Sequence, residues 1–256
     1  MMDVRIVVPM FLDRASEAVK RMQQPGDVVV AEEPGPGEQI ESVAPIHRAL
    51  AGKIRTVVED GNRPFAILGD CCQVIPMMAG IERAGIKPTL VWLDSHGDFN
   101  TWETTPSGFL GGMPLAMLTG RGDQRMMAAV GMSPMADGRV VLSDGRDLDP
   151  GERDLVESSG IAFAPRLEDL DAAALPEGPI YLHFDSDIID ANVAPAFLYP
   201  ASGGPSVEAV RKALESIMAT GRVMAISTTV GWNVQKDAGR TTETAVRAAM
   251  AGLPDI

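Results

Sequence analysis

Short apolar runs recur along the chain, each followed by a longer segment with one apolar face, and this alternation constrains the fold most tightly. Six runs read as strands: residues 4–8, 64–68, 89–93, 140–143, 180–184 and 223–226. Each is short, β-rich or fully apolar, and bounded by turn residues. Six segments between and after them read as helices: 46–59, 75–84, 114–118, 152–157, 207–219 and 241–251. In the fifth, Val210, Leu214 and Met218 fall at i, i+4 and i+8 on one face. Ser206 suits its N-cap, and Gly221 lies just past its end. Strands alternating with helices predict an α/β protein, a three-layer α/β/α arrangement around a central, mainly parallel sheet. The 256 residues suit one large domain, 1–256, and a 45% hydrophobic content supplies its core. Residues 25–37 (PGDVVVAEEPGPG) and 194–205 read as loops, and neither reads as a linker, because apolar segments resume on both sides.

Charge and cysteine usage remove several function classes. The formal net charge is −13 and no Lys/Arg-rich run occurs, which argues against nucleic acid as a partner. No run of about 18 apolar residues is present, so no membrane span is expected. The N-terminal segment lacks the basic start and small-residue cleavage site of a signal peptide. The two cysteines, Cys71 and Cys72, are adjacent. Consecutive Cα atoms lie about 3.8 Å apart, closer than a disulfide ordinarily spans, so a reduced, cytoplasmic protein is expected.

Ligands of open parallel sheets sit at the carboxyl ends of the strands. Three strand ends carry a dense set of metal-binding side chains: Gly69-Asp70-Cys71-Cys72, Asp94-Ser95-His96-Gly97-Asp98-Phe99-Asn100 and His183-Phe184-Asp185-Ser186-Asp187. In extended chain, residues two apart share a face, so Asp94, His96 and Asp98 form one comb and His183, Asp185 and Asp187 another. Carboxylates with imidazole suit Mn²⁺, Fe²⁺, Co²⁺ or Zn²⁺. The aspartates Asp94, Asp98, Asp185 and Asp187 supply about four negative charges, which match two divalent cations. A single D-x-H-x-D also fits a polar turn. Two such combs after apolar strands favour a cation, because clustered unpaired carboxylates resist burial.

On these residues the chain resembles the arginase/agmatinase ureohydrolases. DSHGDFNTWETTPSGFLGGMPLAM (94–117) is similar to the core segment of that family, GRDLDPGERDLV (145–156) to its strand-end loop, and HFDSDIID (183–190) to its third metal motif. The resemblance implies a hydroxide bridging two Mn²⁺ per chain and attacking the central carbon of a guanidino group. By that resemblance Cys71, Asp94, Asp98 and Asp185 serve the first metal. Asp94 and Asp185 bridge to the second, which His96 and Asp187 complete. Asn100 and Ser107 match positions that hold a substrate α-carboxylate, and Asp149 one that meets the α-amino group, with Glu152 nearby. A small guanidino-type substrate and a homo-oligomer are therefore expected.

Three departures stand out. Cys71 occupies the position of a family histidine, where it either ligates as a thiolate or packs as a small apolar residue. Gly111 occupies the position of a mobile proton-shuttling histidine; His183 either stands in for it or supports a ligating aspartate. Gly231 occupies the position of a glutamate that grips the guanidinium, and Trp232 beside it either shapes the pocket or packs in the core. Cys71 and the Gly111-Gly112 pair are similar to relatives that cleave hydroxylated arginine. Two functions follow. One is a ureohydrolase-class hydrolase of guanidino or hydroxyguanidino compounds, with Asp98 and His183 as its catalytic candidates. The other is an arginase-fold metal-binding protein without that activity, acting as a ligand-binding or assembly partner.

Overall fold

The apolar runs become strands buried on both faces, as a sheet covered by helices on each side requires. The computed structural model describes residues 1–254. Its strands are β1 (Asp3–Val7), β2 (Met10–Phe11), β3 (Arg14–Ala15), β4 (Val28–Val29), β5 (Arg63–Leu68), β6 (Thr89–Asp94), β7 (Val140–Asp144), β8 (Ala162–Ala164), β9 (Ile180–Asp185) and β10 (Val223–Thr229). The helices are α1 (Glu17–Met22), α2 (Gln39–Ser42), α3 (Ala44–Glu59), α4 (Val74–Arg83), α5 (Pro114–Leu118), α6 (Arg125–Ala129), α7 (Pro150–Ser158), α8 (Val207–Ala219) and α9 (Thr241–Met250). Eight strands form one parallel sheet in the order β4-β1-β5-β10-β9-β6-β7-β8. β2 and β3 form a small antiparallel hairpin.

Alternation along each strand sorts side chains to two layers. Ala66, Leu68, Leu90, Trp92, Tyr181 and Ala225 join one core with apolar residues of α3, α4, α5 and α6. Phe65, Ile67, Val91, Leu93, Leu182, Phe184 and Ile226 join a second with residues of α1, α8 and α9. The result is the expected three-layer α/β/α fold. Ser206 caps α8 by accepting from Ala209 N, and Gly221 takes a positive φ of 68° just beyond the helix.

The sheet order positions the site. β10, the last strand in sequence, lies between β5 and β9, so the ends of β5, β10, β9 and β6 stand side by side. Thr229 pairs with Leu68 and Asp185. Two residues back along the strands, on the same face, His183 lies between Ser227 and Trp92.

All six predicted strands and all six predicted helices are present. The stretch 25–37 is not wholly loop: Val28–Val29 pairs with β1 as an edge strand. Trp232 packs in the core of the α1, α8 and α9 face, which decides against a pocket role.

Candidate metal centre and cleft

Backbone constraints at the strand ends bring the acidic side chains together. After β5 the chain passes so close to Met10 that a Cβ on Gly69 would stand 2.0 Å from the Met10 carbonyl oxygen, so only glycine fits. Asp70 accepts from Leu12 N at 2.6 Å and Gln73 Nε2 at 2.9 Å. Burial pushes its carboxyl up to about 7. Cys71 then opens a 3₁₀ turn with its thiol facing the neighbouring strands. Its Sγ lies 2.9 Å from Asp185 Oδ2, 3.4 Å from Thr229 Oγ1 and 3.9 Å from Asp94 Oδ2.

The predicted extended combs hold only for His183 and Asp185, which lie on β9. Asp187 reaches the site from a 3₁₀ turn, Ser186–Ile188, which Asp185 caps by accepting from Asp187 N at 3.0 Å. His96 and Asp98 follow β6 in a loop, and Asp98 has a positive φ of 50°. That uncommon backbone is held because the Asp98 carbonyl accepts from Leu115 N at 2.9 Å and Ala116 N at 3.2 Å, at the start of α5. Turns and loops, not strand alternation, aim four of the six predicted ligands, Cys71, His96, Asp98 and Asp187.

Cys71, Asp94, His96, Asp98, Asp185 and Asp187 all line one cleft of about 330 Å³. Donor atoms of Asp94, His96 and Asp187 lie within 4.8 Å of one another, and Cys71 and Asp94 form a second such group with the buried His183 beneath the cleft. Asp94 belongs to both groups. Its Oδ2 faces Cys71 and accepts from Trp92 Nε1 at 3.1 Å, while Oδ1 lies 3.3 Å from His96 Nδ1. His96 Nδ1 is also 3.5 Å from Asp187 Oδ2.

Electrostatics make this cluster costly without a counter-charge. Burial, then the charge of Asp187, raises the Asp94 carboxyl pKa. Burial and Asp94 push Asp98 well up, and burial and Asp187 do the same to Asp185. Burial, followed by Asp185, Asp98 and Asp94, pushes the Cys71 thiol well up. Burial alone would lower the His96 pKa, but Asp187 and Asp94 override it and raise it above the usual imidazole value. Asp98 Oδ2 is buried with no hydrogen-bond partner among the described residues. Two divalent cations fit such a donor set, because they supply the positive charge that these groups otherwise lack.

Asn100, Ser107, Asp149 and Glu152 also line the cleft. Asn100 Nδ2 donates to Asp149 Oδ2 at 2.9 Å, and Asn100 Oδ1 accepts from Thr104 Oγ1 at 2.9 Å. Asp149 caps α7 in a capping box with Glu152. Glu152 accepts from Phe99 N at 2.8 Å and from Asp149 N at 3.1 Å, so both its oxygens are occupied by backbone. It thereby fastens the loop after β6 to α7. Gly97 admits that carboxylate, since a Cβ there would stand 2.7 Å from Glu152 Oε1.

Two features escaped sequence reasoning. The Phe109 ring stacks on Tyr199 with centroids 4.7 Å apart and forms one wall of the cleft. It also fills the space a side chain at 111 would need: a Cβ on Gly111 would meet Phe109 Cζ at 2.3 Å. Neither aromatic belongs to a periodic segment, so no spacing signal marked them. His183 does not line the cleft; it lies two residues before Asp185 on the same strand face, fully buried, with Nδ1 bonded to Ser227 Oγ at 2.9 Å. A proton shuttle to solvent has no path there. Cys72 packs in the core and donates to the Leu110 carbonyl at 3.6 Å.

Comparisons with known proteins agree with this geometry. The model of the arginase family matches residues 11–253. The arginase of Bacillus subtilis (strain 168) is 30% identical over 227 residues, covering 82% of this chain and 76% of the relative. An N(omega)-hydroxy-L-arginine amidinohydrolase of Streptomyces lavendulae is 31% identical over 163 residues, covering 62% of this chain and 58% of that protein. Among solved structures, the arginase of Bacillus caldovelox superposes with a TM-score of 0.81 at 25% identity, covering 98% of this chain and 97% of that one.

Proposed function

The chain belongs to the arginase family, and on that premise we propose that it is a dinuclear metal hydrolase of the ureohydrolase class. It opens a C–N bond of a guanidino or hydroxyguanidino group carried on an amino-acid-like substrate. The observation that carries this reading is Asp94, whose two oxygens face two separate donor groups. Cys71, Asp94, Asp98 and Asp185 would hold the first cation, and Asp94, Asp185, His96 and Asp187 the second. Mn²⁺, two per chain, is the family's usual metal. When bound, the paired cations supply Lewis acidity that lowers the pKa of water and provides a nucleophile at neutral pH.

The chain's own groups do the rest. Asp98, through its unpartnered Oδ2, accepts the proton that the attacking water gives up. Asn100 and Ser107 bind the carboxylate of the substrate and Asp149 its ammonium group, while Glu152 holds the two loops in register. An amino acid held by these lining groups would present its distal group to the cations. The cleft volume of about 330 Å³ falls within the range of small-molecule sites.

Gly231 lines the cleft and brings no acid to it. A guanidinium cation therefore finds no carboxylate there to balance its charge. A hydroxyguanidine is less basic, because the hydroxyl oxygen withdraws electron density, and it enters more readily without that partner.

Elemental analysis after Mn²⁺ loading and dialysis, with urea and hydroxyurea measured in the same preparation, tests the reading. Close to two ions per chain and release of one of these products are expected, with both lost to a chelator. A loaded sample holding only a trace of metal contradicts it. The second reading, a metal-binding protein without this activity, draws on Gly231 and Gly111 and corresponds to two ions with no product.

A further inference from the structure

The fold buries two imidazoles completely, and each keeps one ring nitrogen without a hydrogen-bond partner among the described residues: Nδ1 of His47 and Nε2 of His183. Their surroundings differ. His47 lies in α3 and belongs to no donor group found among the described residues. A ring nitrogen of His183 lies within 4.8 Å of both the Cys71 thiol and an Asp94 oxygen. Nδ1 of His183 is engaged with Ser227, so Nε2 is the free nitrogen.

We propose that His183 Nε2 is a ligand of the first metal ion, which is then held by an imidazole and a thiolate together with carboxylates. The inference rests on the dinuclear reading above. The ring is oriented for this from both sides. Ser227 Oγ holds Nδ1 at 2.9 Å and is itself fixed by Tyr181 Oη at 2.7 Å. The Trp92 ring packs on the other side at 4.3 Å between centroids, and its Nε1 holds Asp94 at 3.1 Å. Such an arrangement, a ring nitrogen fixed by a hydroxyl while the other faces the donors, is how ligating histidines are commonly held.

Cys71 makes the geometry work. A thiol sulfur stands one bond beyond Cβ, so an ion bound to it lies nearer the strand ends than one bound to an imidazole at that position. His183 approaches from that side. Metal bonds of about 2.0–2.3 Å put neighbouring donors roughly 3–3.7 Å apart. The Cys71–Asp94 separation of 3.9 Å needs only a small contraction to reach this. Sulfur with imidazole favours Zn²⁺, Fe²⁺ or Co²⁺ over Mn²⁺, so the two sites should differ in metal preference.

X-ray absorption on the full chain loaded with two Zn²⁺ decides the matter, since the protein has three histidines and His47 lies apart. The expected shell holds one sulfur at about 2.3 Å and two imidazoles per pair of zinc ions. One imidazole per pair, that of His96, overturns the inference while leaving the dinuclear reading intact. No zinc bound overturns both. A Co²⁺ titration supplies the second arm: His183→Leu should weaken one of the two ions at least tenfold and shift the thiolate-to-cobalt absorption, leaving the other ion unchanged. Wild-type affinities for both ions in a folded His183→Leu protein also overturn it. Should that variant fail to fold, the absorption measurement on the unaltered protein still gives the answer.

Discussion

The floor and the rim of the cleft follow different rules. The floor is built on the ends of β5, β6, β9 and β10, where pairing fixes each strand against its neighbours, and it carries Cys71, Asp94 and Asp185. The rim is built on loops and carries Phe109, Gly111, Tyr199 and Gly231. On the floor, the one family departure is Cys71, and a thiolate can still donate. On the rim, the two positions that the family resemblance assigns to a histidine and a glutamate are Gly111 and Gly231, and the space at Gly111 is filled by the Phe109 ring. Charge balance explains the contrast. Removing a carboxylate from the floor leaves cations and acids mismatched in a buried site, whereas changing the rim alters only what enters.

The largest effect should come from Asp94→Asn. Because Asp94 touches both donor groups, the variant should lose affinity for both ions and lose activity beyond the roughly 10–100-fold typical of disturbing an outer hydrogen-bond partner. Asp187→Asn should weaken one ion only. Elemental analysis of the two variants separates them, and loss of a single ion in Asp94→Asn would break the idea of a shared floor carboxylate.

Next comes Gly231→Glu. A Cβ at Gly231 meets nothing closer than Leu198 Cδ1 at 3.8 Å, so the side chain can be accommodated. Charge-assisted hydrogen bonds contribute roughly 1.5–3 kcal/mol, so kcat/KM for arginine should rise about 10–100-fold. An unchanged arginine rate would mean that the rim does not set this preference.

Gly111→His should destabilise the protein by about 1–3 kcal/mol, because the new side chain collides with the Phe109 ring. Thermal melts should show the loss relieved in Gly111→His combined with Phe109→Ala. Equal losses in the single and double variants would show that Phe109 is not what excludes the histidine. The smallest effect belongs to Tyr199→Ala, which removes the stack on Phe109. Aromatic pairs contribute about 0.5–1.5 kcal/mol, so KM should rise roughly 2–12-fold with kcat little changed. A fall in kcat with KM constant would assign Tyr199 to the chemistry.

Much of the floor was legible in the sequence because its chemistry is local. Asp94, His96, Asp98, Asp185 and Asp187 sit within short motifs directly after apolar strands, and charge counting alone called for cations. The geometry that aims them was less legible. The left-handed backbone of Asp98 depends on α5, whose contribution no two-residue spacing reveals. Val28–Val29 escaped because two residues carry no periodicity, and their pairing depends on β1 alone. Glu152 was grouped with substrate contacts by its place in the motif, yet its oxygens serve Phe99 and Asp149. The rim was hardest, since Phe109 and Tyr199 lie 90 residues apart in sequence and meet only through tertiary packing.

The central claim, a hydrolytic floor beneath a rim that disfavours the guanidinium cation, is tested most directly by one ratio. Metal-loaded wild-type protein should be assayed for kcat/KM on Nω-hydroxy-L-arginine and on L-arginine under the same conditions. The expected ratio favours the hydroxylated substrate by at least about tenfold, the effect of losing one charge-assisted contact. Equal or better turnover of arginine would contradict the account of the rim, and no product from either substrate would contradict the account of the floor.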